Sequence, residues 1–326
     1  MVARPGARPD VTVSIVSSAS RQTLLALLAS LEPELAGPAS MEVVVLDNAS
    51  EDGSVEAVSA RFPWTRLIEQ PFRAGFGANH NRVIGETGGR YVLLLSHDAQ
   101  VEPGSLGRLV TYMEAHPSVG ALAPRIRYPD GHAQASAWRF PSPAVSLLSV
   151  PTLSRAGVVQ SRGERPRSVD WAMGAALLLR RTAIERVGLF DEERFFMYSE
   201  ETDLCRRLAD SGWETHFLPE VTVIHHDSVL RAEFPRERIA EEWRSRHRYW
   251  AKHHSRPGAR LAATSTGIQY AARAGIARWA LRDRDLAARM RLHARYAFRG
   301  VEGPGLRERA EEWNELAVGS RQSVQA

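Results

Sequence analysis

Through the first half of the chain, short apolar runs alternate with stretches whose leucines and valines recur at helical spacing. Residues 11–16 and 41–46 are β-branched runs of the sort buried in a parallel sheet, and residues 23–35 between them carry leucines every three or four positions. This predicts a β-α-β opening. The second run ends in the polar turn Asp47-Asn48-Ala49-Ser50-Glu51-Asp52-Gly53-Ser54, which feeds a helical stretch over 55–62. Residues 67–69, 91–95 and 121–126 read as further strands, and 77–87 and 106–116 as helices. Such a succession predicts an α/β protein with a Rossmann-like, doubly wound sheet.

The pattern thins over residues 140–168, where Pro141, Pro143, Pro151, Gly163 and Pro166 stand among serines and arginines, and a long loop is expected there. Order returns at 171–179. Residues 195–198 precede a helix over 201–211 that stops at Gly212, and 221–224 form a strand ending at His225-His226. From residue 236 the pattern is helical and charged. The expected organisation is a disordered N-terminus over 1–10, an α/β domain over 11–235 and a C-terminal helical appendage over 236–326. In open α/β sheets ligands sit at the carboxyl ends of strands, so Asp47 and Ser96-His97-Asp98 should face one crevice.

Composition changes this picture little. At 326 residues and 44% hydrophobic content the chain can bury a large core. Acids and bases are intermixed at a formal charge of +4, which argues against nucleic acid as a partner. One stretch departs from that mixture. Arg231, Arg236, Arg238, Arg244, Arg246, Arg248, Lys252, Arg256 and Arg260 are interleaved with Trp243, Tyr249 and Trp250, a surface suited to a phosphate-rich or membrane-bound partner or to plain solvation. The amphipathic segment 268–281 could equally bury against a second subunit, which leaves a homo-oligomer open. Cys205 is the only cysteine, so no intrachain disulfide and no CxxC zinc site can form, and a reducing cytoplasm is the expected home. No run approaches the ~18 apolar residues of a membrane span, so any membrane contact is expected to be peripheral.

Four segments together resemble the family 2 glycosyltransferases, especially the rhamnosyltransferase-like members. They are Val43-Val44-Val45-Leu46-Asp47-Asn48-Ala49-Ser50 with Asp52-Gly53-Ser54, then Gly75-Phe76-Gly77-Ala78-Asn79-His80-Asn81, the Asp98 segment, and Phe195-Phe196-Met197-Tyr198-Ser199-Glu200-Glu201-Thr202-Asp203-Leu204-Cys205. The resemblance covers roughly residues 11–230 and implies a GT-A fold and an inverting transfer from a nucleotide diphosphate sugar. It places Asp98 at the last acidic position of the metal and diphosphate motif, and His225, or His226 beside it, at the later metal-binding histidine. Mg²⁺ or Mn²⁺ is the implied cofactor. Glu201 matches the usual aspartate base with one extra methylene, and Glu200 is the alternative base. Asp47, Asn48, Asp52, Gly75, Asn81, Asp98, Trp171 and Gly174 are the implied nucleotide-sugar contacts.

The implied donor is linked to dTDP, with UDP and GDP open. The implied acceptor is a glycan, lipid-linked or a small molecule. Relative to the family pattern, Ser17-Ser18-Ala19-Ser20 follows the first strand, Arg73 replaces an asparagine, and Ser96-His97 replaces Asn-Pro before Asp98. Arg73 would hold a phosphate or lie on the surface. The alternative these departures raise is a degenerate transferase that binds nucleotide sugar or a partner without turnover. A dinucleotide oxidoreductase is disfavoured because His80 stands where the third glycine of its fingerprint belongs, and a nucleotidyltransferase because residues 17–21 hold no glycine.

Overall fold

The computed structural model describes residues 8–150, 158–227 and 235–325. Residues 1–7, Pro151 and Arg231, each part of an expectation above, lie outside the described residues. The chain opens with β1 (Val11–Ser17), α1 (Arg21–Leu31), β2 (Met41–Asn48), α2 (Ser54–Arg61), β3 (Thr65–Gln70), α3 (Phe76–Gly85) and β4 (Tyr91–Ser96). β1 pairs in parallel with β2 and β4, and β2 with β3. There follow β5 (Ala99–Val101), α4 (Ser105–Ala115), β6 (Val119–Arg127), β7 (Ala133–Gln134), β8 (Ala137–Trp138), α5 (Pro143–Leu148), β9 (Arg167–Val169), β10 (Trp171–Ala172), β11 (Ala176–Arg180), α6 (Arg181–Val187), α7 (Glu200–Asp210) and β12 (Glu214–His225).

The sheet order β3-β2-β1-β4-β11-β6-β12-β5 is mixed, because β11 runs antiparallel between β4 and β6, and β5 antiparallel at the edge beside β12. Both faces are covered, so all of residues 91–95 are buried, which accounts for the unbroken apolar run there. On β1 the alternation is visible: Val11, Val13 and Ile15 join the core with Leu24, Leu27, Leu28 and Leu31 of α1, while Ser14 on the other face meets His80 of α3.

Several boundaries differ from expectation, each for a local reason. The helix expected over 23–35 ends at Leu31, where Pro33, with no backbone N–H, turns the chain into a 3-10 segment, Glu32–Ala36. Within the expected loop over 140–168 lies α5, started by Pro143 and capped by the Ser142 hydroxyl on the Val145 N–H. The strand expected over 221–224 begins at Glu214 and is interrupted by a register shift between Leu218 and Thr222, around Pro219. β5 and α6 have no counterpart in the sequence reading. One is three residues long, and the other follows β11 without a loop.

The chain closes with α8 (Pro235–His253), α9 (Arg256–Trp279), α10 (Arg284–Arg299) and α11 (Leu306–Gln325). Here the sequence reading needs correction. Trp243, Tyr249 and Trp250 do not face outward but are fully buried, in a core shared with Tyr270, Tyr296 and Phe195. Trp243 Nε1 donates to His293, and Trp250 Nε1 to the Pro141 carbonyl. The basic residues between them are largely engaged: Arg244 with Glu308, Arg246 with Glu242, and Lys252 with Asp191 and Asp203. Among the described residues no helix is long and apolar enough to cross a membrane.

Candidate active site

The carboxyl ends of β1 and β2 bring Ser17 and Asp47 side by side in register. Asp47 Oδ2 accepts from the Ser50 N–H at 3.0 Å, which shapes the turn after β2. Its Oδ1 and the Ser17 Oγ are buried without a partner among the described residues. Buried oxygens left unpaired cost about 1–3 kcal/mol each, so this corner is built to accept hydrogen bonds from something else. Neighbouring residues do different work. Asp52 accepts from the backbone N–H groups of Arg21 and Ser54, fastening the starts of α1 and α2 together. Asn48 ties Gln70 and both backbone groups of Ala74, and Asn81 brackets Phe190 from both sides of its amide. The amides of Asn48 and Asn81 and the carboxylate of Asp52 thus build the loops of the crevice, and a ligand would have to compete for them.

At the far side, β5 and β12 pair through Ala99 and His225, which sets Asp98 beside the histidine. Asp98 Oδ1 lies 3.2 Å from His225 Nε2 and accepts from the Ser96 hydroxyl at 2.5 Å. Its Oδ2 accepts from the Asp227 N–H, and the His226 N–H donates to its backbone carbonyl, so His226 contributes main chain here. Burial disfavours the Asp98 anion, but the hydrogen bond and charge of His225, then Ser96 and His97, outweigh it and hold the carboxyl below its ordinary range. Gln134 fixes the imidazole. Its Nε2 donates to Asp227, so its Oε1 faces His225 Nδ1 at 3.0 Å and requires the proton there. With the proton on Nδ1, a protonated ring pairs with Asp98 directly through Nε2–H, and a ring that has lost that proton turns an Nε2 lone pair toward the carboxylate, a donor pair that a divalent cation can take.

Ligands on adjacent corners of an octahedral Mg²⁺ or Mn²⁺ site, with bonds of roughly 2.1 Å, lie about 3 Å apart, so the pair fits a divalent ion. Among the described residues no cluster of three or more acidic, histidine or cysteine side chains is suited to a metal. His97 fastens the crevice wall instead, with its ring nitrogens against Thr23 and Ser20.

The two glutamates open α7, directly after Tyr198 and Ser199, which both adopt the left-handed backbone region at φ 68° and 67°. Such a conformation costs non-glycine residues on the order of 1–3 kcal/mol each and persists only where surroundings impose it. Here α8 does so, as Ser245 donates to the Met197 carbonyl and Arg238 to the Tyr198 hydroxyl. Glu200 is buried and lies against Gly77, and among the described residues neither its Oε2 nor the buried Oε2 of Glu201 has a hydrogen-bond partner. Burial, then the charge of Glu201, pushes its carboxyl well above the ordinary range. Burial also raises Glu201, opposed by backbone N–H donation from its own residue and from Gly174.

Gly174 and Gly75 are both required by close approach. A Cβ at Gly75 would meet the Phe196 carbonyl oxygen at 2.2 Å, and one at Gly174 would meet the Phe76 ring at 2.7 Å. Trp171 stacks on Trp138 at 4.7 Å and donates to the Arg139 carbonyl, making a small two-stranded wall of β8 and β10 beside Gly174. Arg73 is not a loose surface residue. Its guanidinium lies 4.2 Å over Trp313, and its backbone is clasped by Asn314 of α11.

Sequence reasoning missed Gln134, Trp138 and the α8 side chains. Gln134 is 91 positions from His225, and no periodicity could link them.

A mixed sheet in which β11 reverses beside a parallel β3-β2-β1-β4 unit, with its polar crevice at the strand ends, defines a GT-A glycosyltransferase. A family model described as glycosyl transferase family 2 matches residues 12–188, and the chain belongs to that family. A relative named N-acetylglucosaminyl-diphospho-decaprenol L-rhamnosyltransferase, from Mycobacterium tuberculosis (strain H37Rv), is 34% identical over 247 residues, 70% of this chain and 80% of that protein. Rhamnosyltransferase WbbL of Escherichia coli K12 is 34% identical over 84 residues, 26% of this chain and 31% of its own. Among solved structures, the mannosyltransferase PcManGT from Pyrobaculum calidifontis, in complex with GDP-Man and Mn²⁺, superposes with a TM-score of 0.58 at 18% identity, covering 92% of this chain and 90% of that one, a likeness of fold.

Proposed function

We propose that this chain is an inverting hexosyltransferase that moves a sugar from a nucleotide diphosphate to a hydroxyl of a lipid-linked glycan. L-rhamnose is the favoured sugar, because the mycobacterial relative carries that activity in its name. One observation carries the chemistry. The Glu201 carboxyl is held by the Gly174 N–H, and the next residue, Ala175, receives the N–H of Ser96, whose hydroxyl donates to Asp98. Base and acid-histidine pair are thus fixed to one short stretch of backbone.

Glu201 accepts the proton of the acceptor hydroxyl as its oxygen bonds to the anomeric carbon, and the bond to the nucleotide diphosphate breaks on the opposite face with its electron pair. Asp98 and His225 would hold Mg²⁺ or Mn²⁺, which when bound supplies positive charge to the leaving diphosphate. Asp47 and Ser17 accept hydrogen bonds from the base or ribose through their unpaired oxygens. Burial beside Gly77 and the charge of Glu201 push Glu200 toward its protonated form, which favours a single charge on the pair.

Calorimetric titration with dTDP, UDP and GDP, each with and without Mn²⁺, tests this. Binding of one nucleotide that strengthens with metal is expected, and Asp98→Asn should erase the strengthening while the melting curve is unchanged. Equal affinity with and without metal in the wild type would remove Asp98 and His225 from this role. The anomeric configuration of the product, read by NMR, tests inversion.

A further inference from the structure

The expected basic and aromatic membrane stretch turns inward, yet a different apolar face is left uncovered one helix later. On α9, Leu261, Ile268, Ile276 and Trp279 follow spacings of seven, eight and three, which keep them on one side of the helix, and all four are exposed, Ile268 by 46% and Trp279 by 77%. Between them on that side stand only small residues such as Ala272 and Gly275. Two neighbouring elements extend the face. Half-exposed Phe298 of α10 lies over Gly267, next to Ile268. On the other flank α5, tied to α9 by Gln269 on the Ser146 carbonyl, ends in Leu148, 75% exposed.

Charge identifies what would cover this face. Between residues 256 and 300 the sequence holds ten arginines and two aspartates, whereas the whole chain carries only +4. Exposed Arg284 and Arg291 stand fourteen and seven positions before Phe298 on the outer side of α10, and Arg278 packs its guanidinium 4.9 Å over the Trp279 ring. A second copy of the chain would bring the same arginines against these, whereas an anionic surface would neutralise them. An apolar stripe with a tryptophan near one end and arginines along its rim matches the interfacial zone of a bilayer, where aliphatic side chains enter the acyl boundary and guanidinium groups meet phosphate.

We infer that the outer face of α9, extended by Phe298 and Leu148, docks this protein on an anionic lipid bilayer. α5 follows β8 by four residues, so the docking face continues into the Trp138–Trp171 wall beside Gly174 and Glu201. A lipid-linked acceptor lying in that bilayer would reach the base along this wall. This last step rests on the proposed function, while the docking face rests on the surface alone.

The test is co-sedimentation of the full chain with vesicles of phosphatidylcholine, with and without phosphatidylglycerol. Binding is expected only to the anionic vesicles. Ile268→Asp with Trp279→Ala should lower it by on the order of tenfold or more. Arg284→Glu with Arg291→Glu should lower it about fivefold for each lost positive charge. All these positions are exposed, so melting temperature and nucleotide binding should stay at wild-type values. Absence of vesicle binding by the wild type, or binding unchanged in the Ile268/Trp279 variant, overturns the inference. So does a wild-type dimer without vesicle binding that Ile268→Asp splits in sedimentation velocity, which would assign the face to a second copy. Sugar transfer to a soluble acceptor is measured alongside, so loss of docking and loss of the proposed activity are read separately.

Discussion

Glu200 and Glu201 are consecutive, alike in type and unlike in circumstance. Glu201 takes the Gly174 N–H and is half-buried as a residue with its Oε2 turned away from solvent, while Glu200 is buried throughout. Glu201→Gln is therefore expected to cut kcat/KM by about 100- to 10,000-fold, the range for a lost general base, with nucleotide binding intact. Because burial raises Glu201, the acidic limb of the wild-type pH profile should lie above the ordinary carboxyl value of 4.5, and a limb at or below it would dismiss Glu201 as the base. Glu200 gives the opposite signature, in stability. Its folded-state proton affinity exceeds the unfolded one, so the folded chain holds an extra proton above pH 4.5 and loses stability as pH rises through that window. Glu200→Gln removes that slope. The variant should melt higher than wild type by an amount that grows with pH, in calorimetric scans across pH. The sequence named both glutamates, but it could not divide their roles, since burial depends on Gly77 and α8, far away along the chain.

At the scale of elements, the junction of α7 with its neighbours decides whether the site exists. Gly75 brings the start of α3 so close to Phe196 that the Phe76 N–H reaches the Phe196 carbonyl at 2.9 Å. Gly75→Ala would drive a methyl into that carbonyl, with an expected cost of about 1–3 kcal/mol by denaturant titration and a lower kcat through displacement of the Tyr198–Ser199 turn. Wild-type stability in this variant would show that the loop yields freely. Asp203, wholly buried one turn into α7, accepts from Arg207, Lys252 and His253. Burial opposes its charge, yet His253, Lys252 and Arg207 together hold its carboxyl down at about 2. Its contribution is complete above the ordinary value of 3.8 and is lost as pH falls toward 2, so Asp203→Asn should flatten acid unfolding in that interval. At neutral pH the same change leaves half-buried Arg207 and Lys252 without this anion and should cost about 1.5–3 kcal/mol. In the sequence Asp203 stands only as one member of the segment from Phe195 to Cys205. The partners that make it a tie between helices lie some fifty residues on, and helical charge patterns there resemble any solvated face.

For the molecule as a whole, the α/β class and most strands were legible because apolar runs and turn residues are local signals, as with residues 91–95 and the turn after β2. The reversed strand β11 was not, because a buried strand reads alike in either direction. Nor was the fate of Trp243, Tyr249 and Trp250, since interleaved arginines look the same whether their aromatic neighbours face water or one another. Asp203 bears on how such proteins change over time. Two of its three partners belong to α8, and α8 also holds the Tyr198–Ser199 turn, so the acidic helix depends on α8 for its place. A chimera that exchanges residues 11–235 between relatives to transplant sugar preference should fail unless the recipient's α8 offers matching cations, and restoring Lys252 and His253 should be enough to recover it.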